Sequence, residues 1–476
     1  MDSFTLVIFG ITSNLAQIKL IPTLYDLVAG NQLGSKFSVI GVGRTQFSDA
    51  EFKEYISHTL SLPNRHHTHP IDEDIKQKLL SSLTYLSADL TSQDSFNQLK
   101  SLVDAVGNTN HMYYLATFPS LYESIFNNLK TTGLTDQAKG WSRLLIEKPI
   151  GSDRDSGKQL NDLLVKYFSE DQIFRLDHYL GKETLQNILT FRFGNGLLEP
   201  LMNNQHIDHI QVTASEDFGI GMRGSYYDQN GAIKDVGQNH LLQMIALSTM
   251  NNPEKWDEKS VTKERVNVLK NLIPEPETLV LGQYAGYKDE HSVAKDSDTE
   301  TYFAFRTHID NDRFRGVPIY VRAGKCLSRT ATEIAIVFKN SGTRLFSNLN
   351  EGLEPNILIY RIQPNEGIVL KIMTKKPGHN MELQESYMQY CYPHTTDLPD
   401  AYERLIVDAL KGDQTFFNDA SEVDAQWAFT DPLIASRHGH VPTIYEKGSW
   451  GPTEADQMME QDGHCWYEPS TAFCAI

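Results

Sequence analysis

The chain has 476 residues, too many for one compact core of ordinary size, so two domains are expected. Its formal net charge of −18 suits solubility and argues against a nucleic-acid partner, whose footprint is a basic face. An anionic ligand must then be held by a local cluster of Lys, Arg and His.

The first apolar run, Phe4 to Phe9, has no basic stretch before it and no small-residue cleavage site after it. No stretch reaches the roughly 20 apolar residues of a membrane span. The terminal FCAI sets its Cys one place too near the end for a prenylation box. A cytoplasmic protein without a membrane partner is expected.

Through residue 150, β-rich runs alternate with helical patterns, as a parallel sheet with crossover helices requires. Strands are predicted at Thr5 to Phe9, Ser38 to Val42, Thr84 to Leu86, Met112 to Ala116 and Leu144 to Glu147. Helices are predicted over Leu15 to Ala29, stopped by Gly30, and from Ser48, which has capping-box spacing to Glu51. The pattern predicts a Rossmann-like, doubly wound α/β domain.

A strand running into Gly10 and a helix from about Asn14 would aim backbone N–H groups at a pyrophosphate. The segment GITSNLA holds a single Gly where the dinucleotide fingerprint has three, and a ligand-free turn is equally compatible with it. Gly10, Ser13, Asn14 and Leu15 are the candidate cofactor residues. At the end of the second strand, GVGRT places Arg44 where NAD enzymes usually carry an acidic residue, so Arg44 points to the 2′-phosphate of NADP. Two further loops end strands, ATFP at 116–119 and EKPIG at 147–151, and the second aims Lys148 between cofactor and substrate. The proline-bounded stretch 63–74 contains His66, His67 and His69 but lacks convergent ligand spacing, so a solvated loop is expected there.

After Leu176 the strands follow one another with few helices between them: His209 to Ser215, Tyr302 to Thr307, Pro318 to Arg322, Glu333 to Phe338, Ile357 to Ile362 and Ile368 to Met373. This predicts an α+β domain with a large, mainly antiparallel sheet. The expected domains are 1–176 and 177–476. Cys326, Cys391, Cys465 and Cys474 show no CxxC spacing and are expected to be reduced thiols.

The segments RLDHYLGKE at 175–183 and KDVGQNHLL at 234–242 concentrate polar groups where packing would ask for apolar ones. His178 and Lys182, four apart, share a face of a helix or helical turn and can converge on a phosphate dianion. Tyr179 adds a hydroxyl, and Lys325 in RAGK is expected to close the phosphate site from the second domain. Taken alone, His240 is equally a buried structural histidine of a helix running to about Met250, and the cations are equally partners of nearby carboxylates.

These segments, with GITSNLAQIKLIP, IEKPIG, YYDQNGAIKDVGQNHLLQ, GVPIYVRAGK, RIQPNEG and KGSWGP, resemble the glucose-6-phosphate dehydrogenase family over nearly the whole chain. The resemblance implies oxidation of D-glucose 6-phosphate at carbon 1 to a lactone, with reduction of NADP, NAD as a secondary acceptor, and no metal. It implies His240 as the base, Asp177 as the carboxylate that orients its ring, and Glu216, Asp235 and Gln363 as partners of sugar hydroxyls. A homodimer or homotetramer is implied as well. Several positions depart from the family pattern. Ser13 and Asn14 replace a Gly-Asp pair, and a side chain at Ser13 would restrict a positive φ. Phe118 replaces a proline near the nicotinamide, Met202 replaces an aromatic, and Arg329 falls one place from a phosphate-binding arginine of some relatives. Two rival readings remain open on the sequence: a dehydrogenase of unphosphorylated sugars on the same two-domain plan, and a non-catalytic nucleotide-binding scaffold.

Overall fold

The computed structural model of the chain describes residues 2–34, 36–63, 69–340, 354–392, 398–437 and 440–469. His66, His67 and Cys474 lie outside the described residues. Contacts divide the chain into two units: Met1–Glu183 with Asp257–Thr262 and Asp397–Val423, and Thr184–Trp256 with Lys263–Thr396 and Asp424–Ile476.

The first unit is built on β1 (Phe4–Phe9), β2 (Phe37–Gly43), β3 (Leu83–Ser87), β4 (Asn110–Leu115), β5 (Ser142–Ile146) and β6 (Ile173–Arg175). They form a parallel sheet in the order β3-β2-β1-β4-β5-β6, the doubly wound order of dinucleotide-binding folds. β1 is buried at every position, as a parallel strand covered on both faces must be. The crossover helices start where their sequences say. Ser48 Oγ accepts from the Glu51 amide, and Glu51 returns a carboxylate to the Ser48 amide at 2.8 Å.

This unit also takes in the helix Ala401–Lys411, which packs on the turn after β6. A Cβ at Gly181 would stand 2.5 Å from the Ala401 carbonyl, so the turn and the helix approach as closely as backbone allows. Arg143 ties β5 to the end of that helix through the Ala409 and Leu410 carbonyls, and Arg404 pairs with Glu183 at 2.5 Å. These contacts carry the unit past residue 176 to Glu183.

The second unit holds a ten-stranded sheet. Its strands are β7 (Ile207–Ser215), β8 (Leu272–Pro274), β9 (Val280–Tyr284), β10 (Tyr302–Ile309), β11 (Ile319–Gly324), β12 (Ala331–Phe338), β13 (Ile357–Gln363), β14 (Gly367–Lys375), β15 (Leu383–Cys391) and β16 (Thr443–Tyr445). The order is β15-β14-β13-β12-β7-β11-β10-β9-β16, with β8 beside β10. Most pairs are antiparallel, as expected, but β7–β11 and β9–β16 are parallel. The parallel β7–β11 pair sends two strands out of the sheet at the same end.

Cys391 is disulfide-bonded, which corrects the expectation of reduced thiols throughout, while Cys326 and Cys465 are free. Among the described residues no helix is long and apolar enough to cross a membrane.

Candidate active site

At the switch point of the first sheet, Gly10 adopts φ +84°, and a Cβ there would fall 2.3 Å from the Ala116 carbonyl. Only glycine allows β1 to turn so close to the end of β4. The chain then turns into a helical segment at Asn14, and the Ser13 hydroxyl accepts from the Ala16 amide at 3.2 Å. Ser13 therefore serves as an N-cap, and it is not among the residues with positive φ. Across the same crevice end, the Gly10 amide donates to Val42 of β2 at 2.8 Å, which brings the loop carrying exposed Arg44 alongside. That loop is held by Tyr85, whose hydroxyl donates to the Thr45 carbonyl at 2.7 Å.

Lys148 follows β5 and is half-buried. Beside it, the carboxyl of Glu147 accepts hydrogen bonds from Tyr114 and Tyr402. Burial pushes that carboxyl above the usual range, and the two tyrosines and Lys148 pull it only partly back. Glu147, Tyr114 and Tyr402 were invisible to sequence reasoning, because two of the three lie far from the EKP motif and their hydroxyls converge only in the fold.

After β6, residues 177–182 form two overlapping turns, the second of the two expected alternatives of helix or helical turn. The Leu180 amide donates to the Asp177 carbonyl and the Lys182 amide to the Tyr179 carbonyl, each at 3.0 Å. Asp177, 1% exposed, closes the first turn by accepting from the Tyr179 amide at 2.9 Å. Glu183 then starts a helix to Phe193. The turns still gather the expected groups: the rings of His178 and Tyr179 meet edge to face at 5.1 Å, and Lys182 Nζ lies 5.5 Å from the Tyr179 ring centre. From the other side, the Tyr402 ring stacks on His178 at 6.1 Å and 12°.

In the second unit, strand register assembles another cluster. β7 and β11 end together at Ser215 and Gly324, so Glu216 and Lys325 leave the sheet as neighbours. They form an ion pair, and Lys325 Nζ also lies over the rings of Phe218 and Tyr227 at 5.7 and 5.3 Å. β12 starts at the same end, with Thr332 opposite Gln363 at the end of β13. Nearby runs a π-helix, Ile233–Leu241, carrying Asp235 and His240 at 7% and 2% exposure. It packs so tightly that a Cβ at Gly237 would meet the Phe303 ring of β10 at 2.9 Å. π-Helical segments are rare and are frequent at functional sites. The helix continues as Leu242–Thr249, close to the expected end. Arg223, which sequence reasoning missed, approaches Asp235 at 3.8 Å.

A second group of ligand-type side chains lies elsewhere in this unit: Asp208, His209 and His464 bring their N and O atoms within 4.8 Å of one another. Hydrogen bonds fix its protons. Gln211 uses its amide oxygen for the Tyr467 N–H and its amide nitrogen for the Cys465 carbonyl, so it can only donate to His209 Nε2 at 2.9 Å. His209 Nδ1 must then carry the proton given to Asp208 at 2.8 Å, and burial holds this ring below its usual pKa. Asp208, His209 and His464 read as a hydrogen-bonded clasp for the carboxyl-terminal segment.

The two clusters account for the predicted site residues unit by unit. Two family models match the chain: the glucose-6-phosphate dehydrogenase NAD-binding domain matches residues 7–187 and its C-terminal domain residues 189–467. The chain belongs to the glucose-6-phosphate dehydrogenase family. It is 40% identical to the glucose-6-phosphate 1-dehydrogenase of Borreliella burgdorferi, with 98% of each chain covered, and 38% identical to that of Bacillus subtilis over 97% and 98%. Among solved structures it is similar to a glucose-6-phosphate dehydrogenase in complex with glucose 6-phosphate, at TM-score 0.91 and 33% identity over 98% and 99% of the chains. Sugar oxidoreductases such as a levoglucosan dehydrogenase, at 9% identity and TM-score 0.52 over 95% and 100% of the chains, share the fold alone.

Departures from the glucose-6-phosphate dehydrogenase pattern have structural accounts. The strain anticipated at Ser13 is absent because the residue caps a helix. Met202 is buried core at 1% exposure, while Phe118 stands 75% exposed beyond β4. Arg329 donates to the Pro469 carbonyl and lies over the Trp450 ring at 5.6 Å, so its guanidinium is engaged by the carboxyl-terminal segment.

Proposed function

We propose that this chain is a glucose-6-phosphate 1-dehydrogenase that oxidises D-glucose 6-phosphate at carbon 1 to 6-phosphogluconolactone with hydride transfer to NADP, the opening reaction of the oxidative pentose phosphate pathway. The observation that carries the reading is the family match across both units, shared with a relative solved holding that sugar phosphate.

The first unit fits the cofactor. The tight turn that Gly10 allows beside the end of β4, the capped helix start at Ser13, Asn14 and Leu15, and exposed Arg44 suit a dinucleotide with a 2′-phosphate. When bound, NADP supplies the hydride acceptor. NAD, lacking that phosphate, is the weaker acceptor in this reading.

The residues of the chain supply the rest. His178, Tyr179 and Lys182 hold the phosphate dianion, and Lys148 lies between substrate and cofactor. Glu216, Asp235 and Gln363 bind sugar hydroxyls, the carboxylates as acceptors, and Lys325 adds a further cation for the phosphate. A hemiacetal hydroxyl is a weak acid, so its proton must leave as the C1 carbonyl forms. His240 takes that proton on a ring nitrogen. Asp177 orients the ring and stabilises the imidazolium. No step requires a metal.

A cytoplasmic setting belongs to the same reading and suits the acidic, soluble composition. So does assembly as a homodimer or homotetramer, supported by the edge strand β15, which exposes Tyr387, Met388 and Tyr390 at 40%, 61% and 53%. The test is absorbance at the NADPH band with glucose 6-phosphate, run in parallel with NADP and NAD and with unphosphorylated glucose. Strong preference for the ester and for NADP is expected. Equal turnover of free glucose would favour the sugar-dehydrogenase reading, and NADP binding without turnover would favour a scaffold.

A further inference from the structure

The π-helix carrying Asp235 and His240 begins in an unusual way. Ala232 provides no side-chain cap, and the chain enters through Gly231 in the left-handed region at φ +70°. The free amides of a first helical turn still need acceptors. Two of the acceptors come from Glu300, sixty-seven residues beyond Ile233 in the chain. Its carbonyl accepts from the Ala232 amide at 3.1 Å, and its carboxylate Oε1 accepts from the Ile233 amide at 3.1 Å. The carboxylate also occupies the place of a Gly231 side chain, since a Cβ there would lie 2.3 Å from Oε1.

Glu300 is completely buried, and a buried carboxylate is costly without a partner. Arg437 supplies one: its Nη1 reaches Glu300 Oε2 at 2.8 Å. The next residue fixes the other half of the cluster, because the Thr301 carbonyl accepts from the Lys325 amide at 3.0 Å. Glu300 and Thr301 thus join the helix of Asp235 and His240 to the sheet end of Lys325 and Glu216. An ordinary cap from a Ser at position 232 would supply an acceptor without burying a charge. What it would not do is tie the helix start to β10.

We propose that Glu300, charge-balanced by Arg437, is a positioning residue that sets the register of the π-helix, and through it the alignment of His240 and Asp235 with the sugar. This rests on the dehydrogenase reading above. Slippage from π to α register would shift each helical hydrogen bond by one residue and turn His240 relative to Asp235.

The experiment compares Glu300→Ala, Arg437→Met and the double variant Glu300→Gln with Arg437→Met, measuring kcat, KM, thermal midpoint and backbone amide exchange. In Glu300→Ala, kcat with glucose 6-phosphate is expected to fall about 10- to 100-fold, the scale of a small misplacement of reacting groups. The KM for NADP should hold, and exchange should quicken in 233–241 ahead of the rest of the unit. The double variant keeps an acceptor for Ile233 and removes the mismatched donors, so it should recover most of the exchange protection and of kcat. Glu300→Ala with kcat within twofold of the parent, or a kcat loss with 233–241 as protected as before, overturns the proposal. If Glu300→Ala does not fold, the double variant decides alone: parent-like protection and kcat support the role, and loss of both in a folded protein refutes it. A parent protein without turnover would sink the dehydrogenase reading, while the exchange data would still judge whether Glu300 holds the helix.

Discussion

Lys325 and Glu216 are paired at the ends of two adjacent parallel strands, the lysine side chain 4% exposed and the glutamate 32% exposed. The buried member is locked while its partner keeps one side open, so the pair is poised to present a donor and an acceptor together. Lys325→Ala should raise the KM for glucose 6-phosphate about 10- to 100-fold, the scale of one lost charge-assisted hydrogen bond of about 1.5–3 kcal/mol. It should also lower the thermal midpoint, because Glu216 loses its partner. Glu216→Gln with Lys325→Met should restore the midpoint but leave the KM high, which separates binding from folding.

His240→Asn removes a proton acceptor without changing the apolar contacts of the helix. Steady-state kinetics should show kcat lowered by about 10²- to 10⁴-fold with the KM for glucose 6-phosphate near its parent value. Turnover close to the parent would eliminate His240 as the base.

Arg44 is exposed at the end of β2. Arg44→Ala should raise the KM for NADP at least tenfold while changing that for NAD little, as expected for a lost contact to the 2′-phosphate. Equal effects on the two cofactors would remove this role.

Tyr402 stacks on His178 and donates to Glu147, and its hydroxyl is held far above the usual range by burial beside that carboxyl. Tyr402→Phe keeps the ring and leaves Glu147 one donor short; Tyr402→Ala loses both contacts. The KM for glucose 6-phosphate should rise in the order parent, Phe, Ala. An Ala variant with an unchanged KM would show that the stacking does not orient His178.

Glu333 lies on β12 opposite Arg361, and burial lifts its carboxyl to about 7 despite Arg361, Arg322 and Arg329. A carboxyl raised in the folded state stabilises the fold while protonated, so its contribution is full below about 4.5 and is lost as the pH rises through about 7. The midpoint of the parent minus that of Glu333→Gln should therefore be more positive at pH 5 than at pH 8. A difference independent of pH would contradict the shift.

The sequence exposed those parts of the fold whose signal is local. β1 to β5 were legible because parallel strands bury both faces and read as continuous apolar runs, and Ser48 with Glu51 announced a helix start. β6 was missed because three residues, Ile173–Arg175, are too few to show a pattern. β15 was missed because Leu383–Cys391 is an exposed edge strand with little apolar alternation. Both candidate segments, 175–183 and 234–242, stood out through their density of polar groups and the family resemblance. What escaped was long-range: the Tyr114 and Tyr402 hydroxyls on Glu147, the Tyr402 ring over His178, and the Glu300 carboxylate beneath the π-helix. None of these leaves a period or a spacing in the chain.

The helix Ala401–Lys411 belongs to the nucleotide-binding unit although it is encoded near the far end of the chain; Arg143 meets its Ala409 carbonyl across 266 residues. During synthesis the amino-terminal sheet must therefore emerge with a vacant flank, and the turn of His178 and Lys182 lacks its Tyr402 stacking and its close approach to Ala401 until that helix leaves the ribosome. A fragment ending at Glu183 should be a poor autonomous folder, and proteolysis of stalled nascent chains should remain easy until well after residue 411 has been exposed.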